Sequence, residues 1–283
     1  GATGLSWAWV GVAPFFLFAL LFLIAPTLFL MVGAFQDAAG HFTFRNIARL
    51  FEPEVMDSYA ISLEISLASG FGGALFGSIL AWAVVQGGLP GWLRPTLLTF
   101  SGVASNFAGV PLAFAFLATL GRLGLITMIL RRQFGINIYA EGFSILSFTG
   151  LTLTYLYFQI PLMVLIVTPA LDGLKREWRE ACDMLGGSWL DYWRYIALPV
   201  LWPSLLGAFL LLFANAFGAV ATAFALTGSS FNMITILLYD QIRGDVLHDQ
   251  NLGYALALGM IVITGLSNGA YVWLSARAQR ARQ

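Results

Sequence analysis

The chain has 283 residues, with 14 basic and 14 acidic side chains and an apolar content of 59%. Charged residues make up 10% of the chain, whereas a soluble domain carries about 25%. So few charges cannot cover a water-soluble globule of this size, and a net charge of zero leaves no basic surface for nucleic acid. The composition therefore predicts a chain that is surrounded largely by lipid.

Six apolar runs are long enough to cross a hydrocarbon layer of about 30 Å as helices. They are residues 9–35, 58–85, 96–120, 144–168, 200–226 and 252–274. Glu64 is the one charged residue within them, as expected when a charge in lipid is costly. The sequence predicts an all-α polytopic bundle of six membrane helices, with residues 1–283 forming a single transmembrane domain.

The first run is too long for a signal-peptide core and lacks a basic leader, so we expect it to remain as a membrane anchor. If the N-terminus is inside, the inner segments hold eight basic residues and the outer segments six. This bias predicts that both termini are cytoplasmic.

Prolines and glycines interrupt the predicted helices. Prolines remove backbone hydrogen bonds, so these helices are expected to bend or to line a path; they are Pro26, Pro111, Pro161 and Pro203. A glycine cluster in the second helix predicts close packing against a neighbouring helix; it comprises Gly70, Gly72, Gly73 and Gly77.

The longest hydrophilic stretch, residues 169–199, is predicted to form two short helices. Its first half has an apolar stripe at helical spacing, formed by Leu171, Leu174, Trp178, Ala181 and Leu185. Gly186 is expected to end this helix, and Ser188 with Asp191 fits a capping box that begins the next. The pattern predicts a stiff elbow on the membrane surface, although an amphipathic loop resting on lipid headgroups has the same periodicity.

Seven residues of this stretch follow the spacing E-A-A-x3-G-x9-I-x-L-P: Glu180, Ala181, Cys182, Gly186, Ile196, Leu198 and Pro199. The spacing resembles the Glu-Ala-Ala loop of permease subunits of binding-protein-dependent ABC importers, type I. Cys182 departs from that pattern, where it replaces the second alanine. The resemblance implies that the loop lies on the cytoplasmic side and docks on a separate ATP-binding subunit.

The resemblance also implies the rest of the assembly. We expect two copies of the ATP-binding subunit, a second permease that is a paralogue rather than a copy, and a periplasmic solute-binding protein, all at the bacterial inner membrane. The chain is expected to be a transporter subunit without a catalytic site, metal site or cofactor, with ATP and Mg on the partner ATPase. Its only lysine, Lys175, does not follow a phosphate-binding loop. The residues expected to couple to the ATPase are Trp178, Arg179, Glu180, Ala181, Asp183 and Gly186.

A solute path needs polar side chains at depth, and the apolar runs offer few. The candidates are Glu64, Asn106, Tyr155, Tyr157, Gln159 and Asn215. Each amide or hydroxyl could equally serve as a hydrogen bond between helices. Glu64 is expected near the outer mouth, where it would attract a cation or, alternatively, be solvated or paired with a loop arginine.

The stretch 234–254 resembles the spermidine and putrescine branch of the family, which implies a polyamine as solute. A phosphonate, ferric iron or another small solute remains open, because Arg122, Arg131 and Arg132 would suit an anion. An ion-coupled secondary transporter is the rival class, but Glu64 alone offers no relay of buried ionisable groups. A membrane enzyme or haem carrier is disfavoured, since both histidines, His41 and His248, fall in outer loops.

Overall fold

The computed structural model describes residues 8–228, 231–243 and 249–280. These residues form helices and no β-strand. In chain order the helices are α1 (Ala8–Ala19), α2 (Ala25–Gly33), α3 (Arg45–Arg49), α4 (Pro53–Gln86), α5 (Leu93–Ala104), α6 (Val110–Leu120), α7 (Leu125–Gln133), α8 (Phe148–Asp172), α9 (Arg176–Met184), α10 (Trp189–Tyr192), α11 (Leu198–Gly218), α12 (Val220–Thr227), α13 (Ile234–Arg243) and α14 (Gln250–Arg280). Two π-helical turns, Leu20–Ile24 and Trp193–Ala197, join α1 to α2 and α10 to α11.

Within the described residues, six helical stretches are long and apolar enough to span a membrane, which confirms the predicted all-α polytopic bundle. They are Gly11–Gly33, Pro53–Gln86, Val110–Gln133, Phe148–Asp172, Trp189–Gly218 and Gln250–Arg277. Residues 1–7 and 281–283, at the two termini, lie outside the described residues. So do residues 244–248 of the stretch 234–254 that resembles the spermidine and putrescine branch.

Two of the predicted helices are broken in the structure. The third, expected as one helix over 96–120, ends at Ala104 and begins again at Val110. Gly109 has φ of 76° and Pro111 occupies the first turn of α6, so the sequence there favours a restart over a continuous helix. The fifth, expected over 200–226, is interrupted at Ala219, between α11 and α12.

The chain divides into two compact units, of which the first holds residues up to 57 together with 237–262. Asn46 is buried and its amide donates to the carbonyl oxygens of Ala34 and Gln36, at 3.2 and 2.7 Å. Arg49 forms an ion pair with Asp249. Partial burial of Asp249 opposes ionisation, but hydrogen bonds from the Leu252 amide and Arg49 outweigh it, so the pKa of Asp249 lies below its usual value. These contacts attach α3 to the start of α14.

The second unit, residues 58–236 with 263–283, is built around α4, α8 and α11. A Cβ atom placed on Gly77 would lie 2.5 Å from the Met163 Cβ, and one on Gly73 would lie 2.7 Å from the Gln159 Cβ. Only glycine permits this approach, which confirms the predicted close-packing face of α4.

Replacing Gly77 with alanine should therefore destabilise the helix bundle, because the new methyl group meets both Met163 and the backbone oxygen of Ile160. We expect a loss of roughly 1–3 kcal/mol from overpacking, measured as a lower thermal denaturation midpoint of the detergent-purified chain. Gly265→Ala is the matched control, since a Cβ at Gly265 meets nothing within 4 Å. Equal midpoints for the two variants would contradict the packing assignment.

Candidate coupling segment and solute cavity

Residues 176–192 form the predicted helix, elbow and second helix. Helix α9 ends at Met184, and Gly186 follows with φ of 78°, a conformation that glycine adopts without steric cost. The Gly187 amide donates to the Cys182 carbonyl at 2.9 Å. Ser188 and Asp191 then form the predicted capping box, with the Ser188 amide 2.8 Å from the Asp191 carboxylate. The elbow is therefore fixed by local hydrogen bonds.

The second helix differs from the prediction, because it does not end on the membrane surface. Helix α10, the π-helical turn and α11 follow one another without a break, and the stretch Trp189–Gly218 is one of the candidate membrane spans. The Leu198 amide donates to Trp193, five residues earlier. Pro199 has no backbone N–H to donate, so the series of α-helical hydrogen bonds is already incomplete at this point. The elbow is consequently continuous with a membrane helix.

The predicted apolar stripe is only partly correct. Leu171 belongs to α8, and α9 begins at Arg176 rather than earlier, which changes the face of the helix that is buried. Cys182 packs in a small core with Tyr192 and Ala197, which Leu174, Trp178, Trp193 and Ile196 surround. Ala181 is exposed instead.

The tip of the elbow carries two exposed apolar side chains. Met184 is 88% exposed, and Leu185, a member of the predicted apolar stripe, is 89% exposed. Leu185 follows the last turn of α9 and precedes Gly186, so the chain turns away before the side chain meets a neighbour. Large apolar groups this exposed indicate a surface that another protein or lipid covers.

The charged residues of α9 form two ion pairs along the helix. Arg176 Nε lies 3.0 Å from the Glu180 carboxylate, and Arg179 Nε lies 3.1 Å from that of Asp183. The Arg179 guanidinium also covers the Tyr192 ring, 5.3 Å from its centroid. Exposed pairs of this type contribute only about 0.3–0.5 kcal/mol, so Glu180 is available for a partner. Trp178 and Arg179 instead face the second helix and support the elbow.

Tryptophans hold the elbow against the end of α4, and an ion pair joins the start of α5 to the end of α8 at the same end of the bundle. The Trp82 ring lies 6.4 Å from that of Trp189 and 6.1 Å from that of Trp193. Arg94 at the start of α5 pairs with Asp172 at the end of α8, at 2.6 Å. Aromatic side chains at one end of a membrane bundle are typical of the level of the lipid headgroups.

A second candidate site lies where the broken helices meet. A cavity of about 300 Å³ opens between the end of α5 and the end of α11. It is lined by Ser105, Ala108, Phe158, Ala214, Asn215, Gly218 and Ala219. None of these lining residues is charged, so hydroxyl, amide and backbone groups give the cavity its polarity.

Three of the predicted path residues are at this cavity or support it. Gln159 is fully buried, and its amide donates to the Leu212 carbonyl at 2.7 Å. Asn215 donates to the Gln159 side-chain oxygen at 3.3 Å and is itself exposed in the cavity wall. The Tyr155 hydroxyl donates to the Ala219 carbonyl at 2.6 Å, which satisfies a carbonyl freed by the break.

The other predicted path residues lie apart from the cavity lining. Asn106 is next to Ser105, and its amide donates to the Gly102 carbonyl at 2.9 Å, which caps α5. Tyr157 packs against the rings of Phe107 and Phe116. Glu64 is exposed on α4 and does not line the cavity; its role in attracting a cation stays a prediction.

The sequence analysis did not predict the hydrogen bond that joins the two helix breaks, at 105–109 and at Ala219. The Gly109 amide donates to the Thr222 hydroxyl at 2.7 Å, so the start of α6 is bonded to the first turn of α12. The Gly-Val-Pro sequence at 109–111 signals a helix start and could have revealed the first break. No signal of comparable strength marks Ala219 or Thr222.

Known proteins with related sequences are permeases. A probable sulfate transport system permease protein of Nephroselmis olivacea is 27% identical over 79% of this chain and 73% of its own length. A putative ferric transport system permease protein of Haemophilus influenzae is 26% identical over 57% of this chain and 26% of its own length. No protein-family model matches the chain.

Known structures reveal the same fold. A chain in the crystal structure of a bacterial ABC transporter involved in the import of the acidic polysaccharide alginate aligns with a TM-score of 0.71, covering 96% of this chain and 95% of that chain at 14% identity. The alginate transporter in complex with an alginate-bound periplasmic protein aligns with a TM-score of 0.67 at 14% identity, covering 98% of this chain and 95% of that chain. The protein is thus a multi-pass membrane protein with the fold of an ABC importer permease, and its relatives are transport permeases rather than enzymes.

Proposed function

We propose that the chain is a permease subunit of an ATP-driven importer and that its elbow docks on a separate ATP-binding subunit. The exposed Met184 and Leu185 at the tip of a hydrogen-bonded elbow carry this proposal, because they need a covering surface and lie within the Glu-Ala-Ala spacing that resembles the docking loop of importer permeases. The fold of an ABC importer and the permease relatives support it. Two ATP-binding subunits, a second permease and a periplasmic binding protein complete the proposed assembly, at the inner membrane with the elbow on the cytoplasmic side.

In this proposal the elbow transmits force directly to the cavity. Trp189–Gly218 is a continuous helical stretch that begins at the elbow and ends at the cavity. At about 1.5 Å per residue, its 30 residues extend roughly 45 Å. A displacement imposed at Leu185 passes through the hydrogen-bonded elbow into this stretch and reaches Asn215 along it, which suits alternation between inward-open and outward-open forms.

We propose a small inorganic anion, with sulfate as the first candidate, as the solute. The relatives compared above include a probable sulfate permease, and none of them carries a polyamine name. Ala108 and Ala219, which precede the starts of α6 and α12, line the cavity, and the amide groups at a helix start favour an anion. Glu64, on which a polyamine preference depended, does not line the cavity.

Leu185→Asp should uncouple the transporter, because a charge at the tip opposes burial against the ATPase. A loss of about 2 kcal/mol at such a contact corresponds to roughly 30-fold weaker binding of the ATP-binding subunit. Binding is measured by co-purification and titration, and coupling as solute transported per ATP hydrolysed. Phe51→Asp is the control, since Phe51 is also strongly exposed, at 72%, but lies outside the elbow. Normal binding and transport by Leu185→Asp would refute the docking role.

Asn215→Asp should distinguish an anionic from a cationic solute, because it introduces a negative charge into a cavity lined by neutral groups. For sulfate we expect about tenfold lower uptake efficiency, equivalent to about 1.4 kcal/mol of repulsion. Uptake of radiolabelled sulfate and of radiolabelled putrescine is compared in vesicles containing the complete transporter. Asn106→Asp is the matched control, because Asn106 lies beside the cavity but does not line it. Uptake of putrescine but not of sulfate by the unmodified transporter would exclude the anion assignment.

A further inference from the structure

Helix α7 and the residues that flank it expose an extended apolar surface. Leu123 is 86% exposed, Leu125 60% and Phe134 66%, and Ile126 and Ile129 are also exposed. Within α7, Thr127 is the one buried residue. Isolated apolar residues are normal on a water-facing surface, but a contiguous group of this size indicates contact with lipid or protein.

Three arginines accompany this surface. Arg122, Arg131 and Arg132 are exposed, and none of them pairs with a carboxylate in the part of the chain that the structure describes. The Arg122 guanidinium lies 5.6 Å from the centre of the Tyr139 ring, and the Tyr139 hydroxyl donates to the Leu120 carbonyl at 2.7 Å. A tyrosine at the end of a membrane helix is typical of the headgroup level.

The position of α7 along the chain places it at the membrane boundary. Helix α6 has 11 residues, which rise about 16 Å at 1.5 Å per residue. That is about half of a 30 Å hydrocarbon layer. Helix α5 adds 12 residues, or about 18 Å, so α5 and α6 together are long enough to cross the layer without α7, although α6 and α7 both fall in the apolar stretch Val110–Gln133. The end of α6 then lies at the level of the headgroups, where Gly121 and Gly124 turn the chain into α7.

We propose that residues 122–136 form an interfacial anchor that lies in the outer leaflet of the membrane, a side that rests on the proposed cytoplasmic position of the elbow. The apolar side chains of α7 enter the acyl region, and the three arginines bind lipid phosphates, with a preference for anionic phospholipid. A soluble binding protein is a poorer fit, because transient protein interfaces are no more apolar than the rest of a protein surface. The anchor fixes the outer end of α6, whose other end borders the cavity.

Spin labelling tests this proposal without requiring transport. The only cysteine, Cys182, is buried, so Cys182→Ala gives a background for single labels at Ile129 and at Glu141. The full chain is reconstituted in vesicles of phosphatidylethanolamine and phosphatidylglycerol. For Ile129 we expect collisions with dissolved oxygen to exceed those with a water-soluble nickel chelate, and for exposed Glu141 the reverse. Equal access of the nickel chelate to both positions would overturn the proposal.

The proposed binding of lipid phosphates by the arginines is tested with the same spin label at Ile129. In vesicles with phosphatidylglycerol, the double variant Arg131→Gln, Arg132→Gln should shift the Ile129 label towards water, whereas Arg45→Gln should leave it unchanged. An unchanged depth in the double variant would remove the arginines from lipid binding. Burial of the Ile129 label only after a periplasmic binding protein is added would assign the surface to protein docking and overturn the anchor. Neither outcome depends on whether the chain couples to an ATPase.

Discussion

The candidate cavity depends on how the backbone is satisfied where two membrane helices break. In hydrocarbon, an unpaired carbonyl or amide costs several kcal/mol, so a broken helix persists only if other groups take over its hydrogen bonds. Here Tyr155 donates to Ala219, and Gly109 donates to Thr222. These two bonds make an irregular, cavity-lining backbone compatible with the membrane.

Helices α8 and α11 connect the irregular backbone at the cavity to the closely packed core that they form with α4. The glycine face of α4 lets α8 approach closely, and Gln159 of α8 in turn bonds to Leu212 and Asn215 of α11. Since α11 is continuous with the elbow, the proposed motor contact and the cavity share a closely packed core. Packed cores deform little and tend to shift between discrete arrangements, which is what alternating access requires.

The sequence predicted features that depend on local chemistry. The elbow was predicted correctly because a left-handed glycine and a Ser-x-x-Asp cap act over a few residues. The break at 105–109 was missed because residues 96–120 are uncharged throughout, and its hydrogen bond to Thr222 comes from a distant segment. The apolar stripe was only partly correct, because α9 runs from Arg176 to Met184 and Leu185, just beyond its last turn, is exposed.

The neutral lining of the cavity has a functional consequence for a proposed importer. A fixed charge in a low-dielectric site would bind an oppositely charged solute strongly and slow its release. Amides, hydroxyls and helix ends offer weaker, directional contacts that can be exchanged as the helices move. Selective capture then falls to the proposed periplasmic binding protein, while the permease needs only to favour passage. The proposed division agrees with the structure, in which Asn215 lines the cavity and bonds to the buried Gln159, whereas Glu64 does not line it.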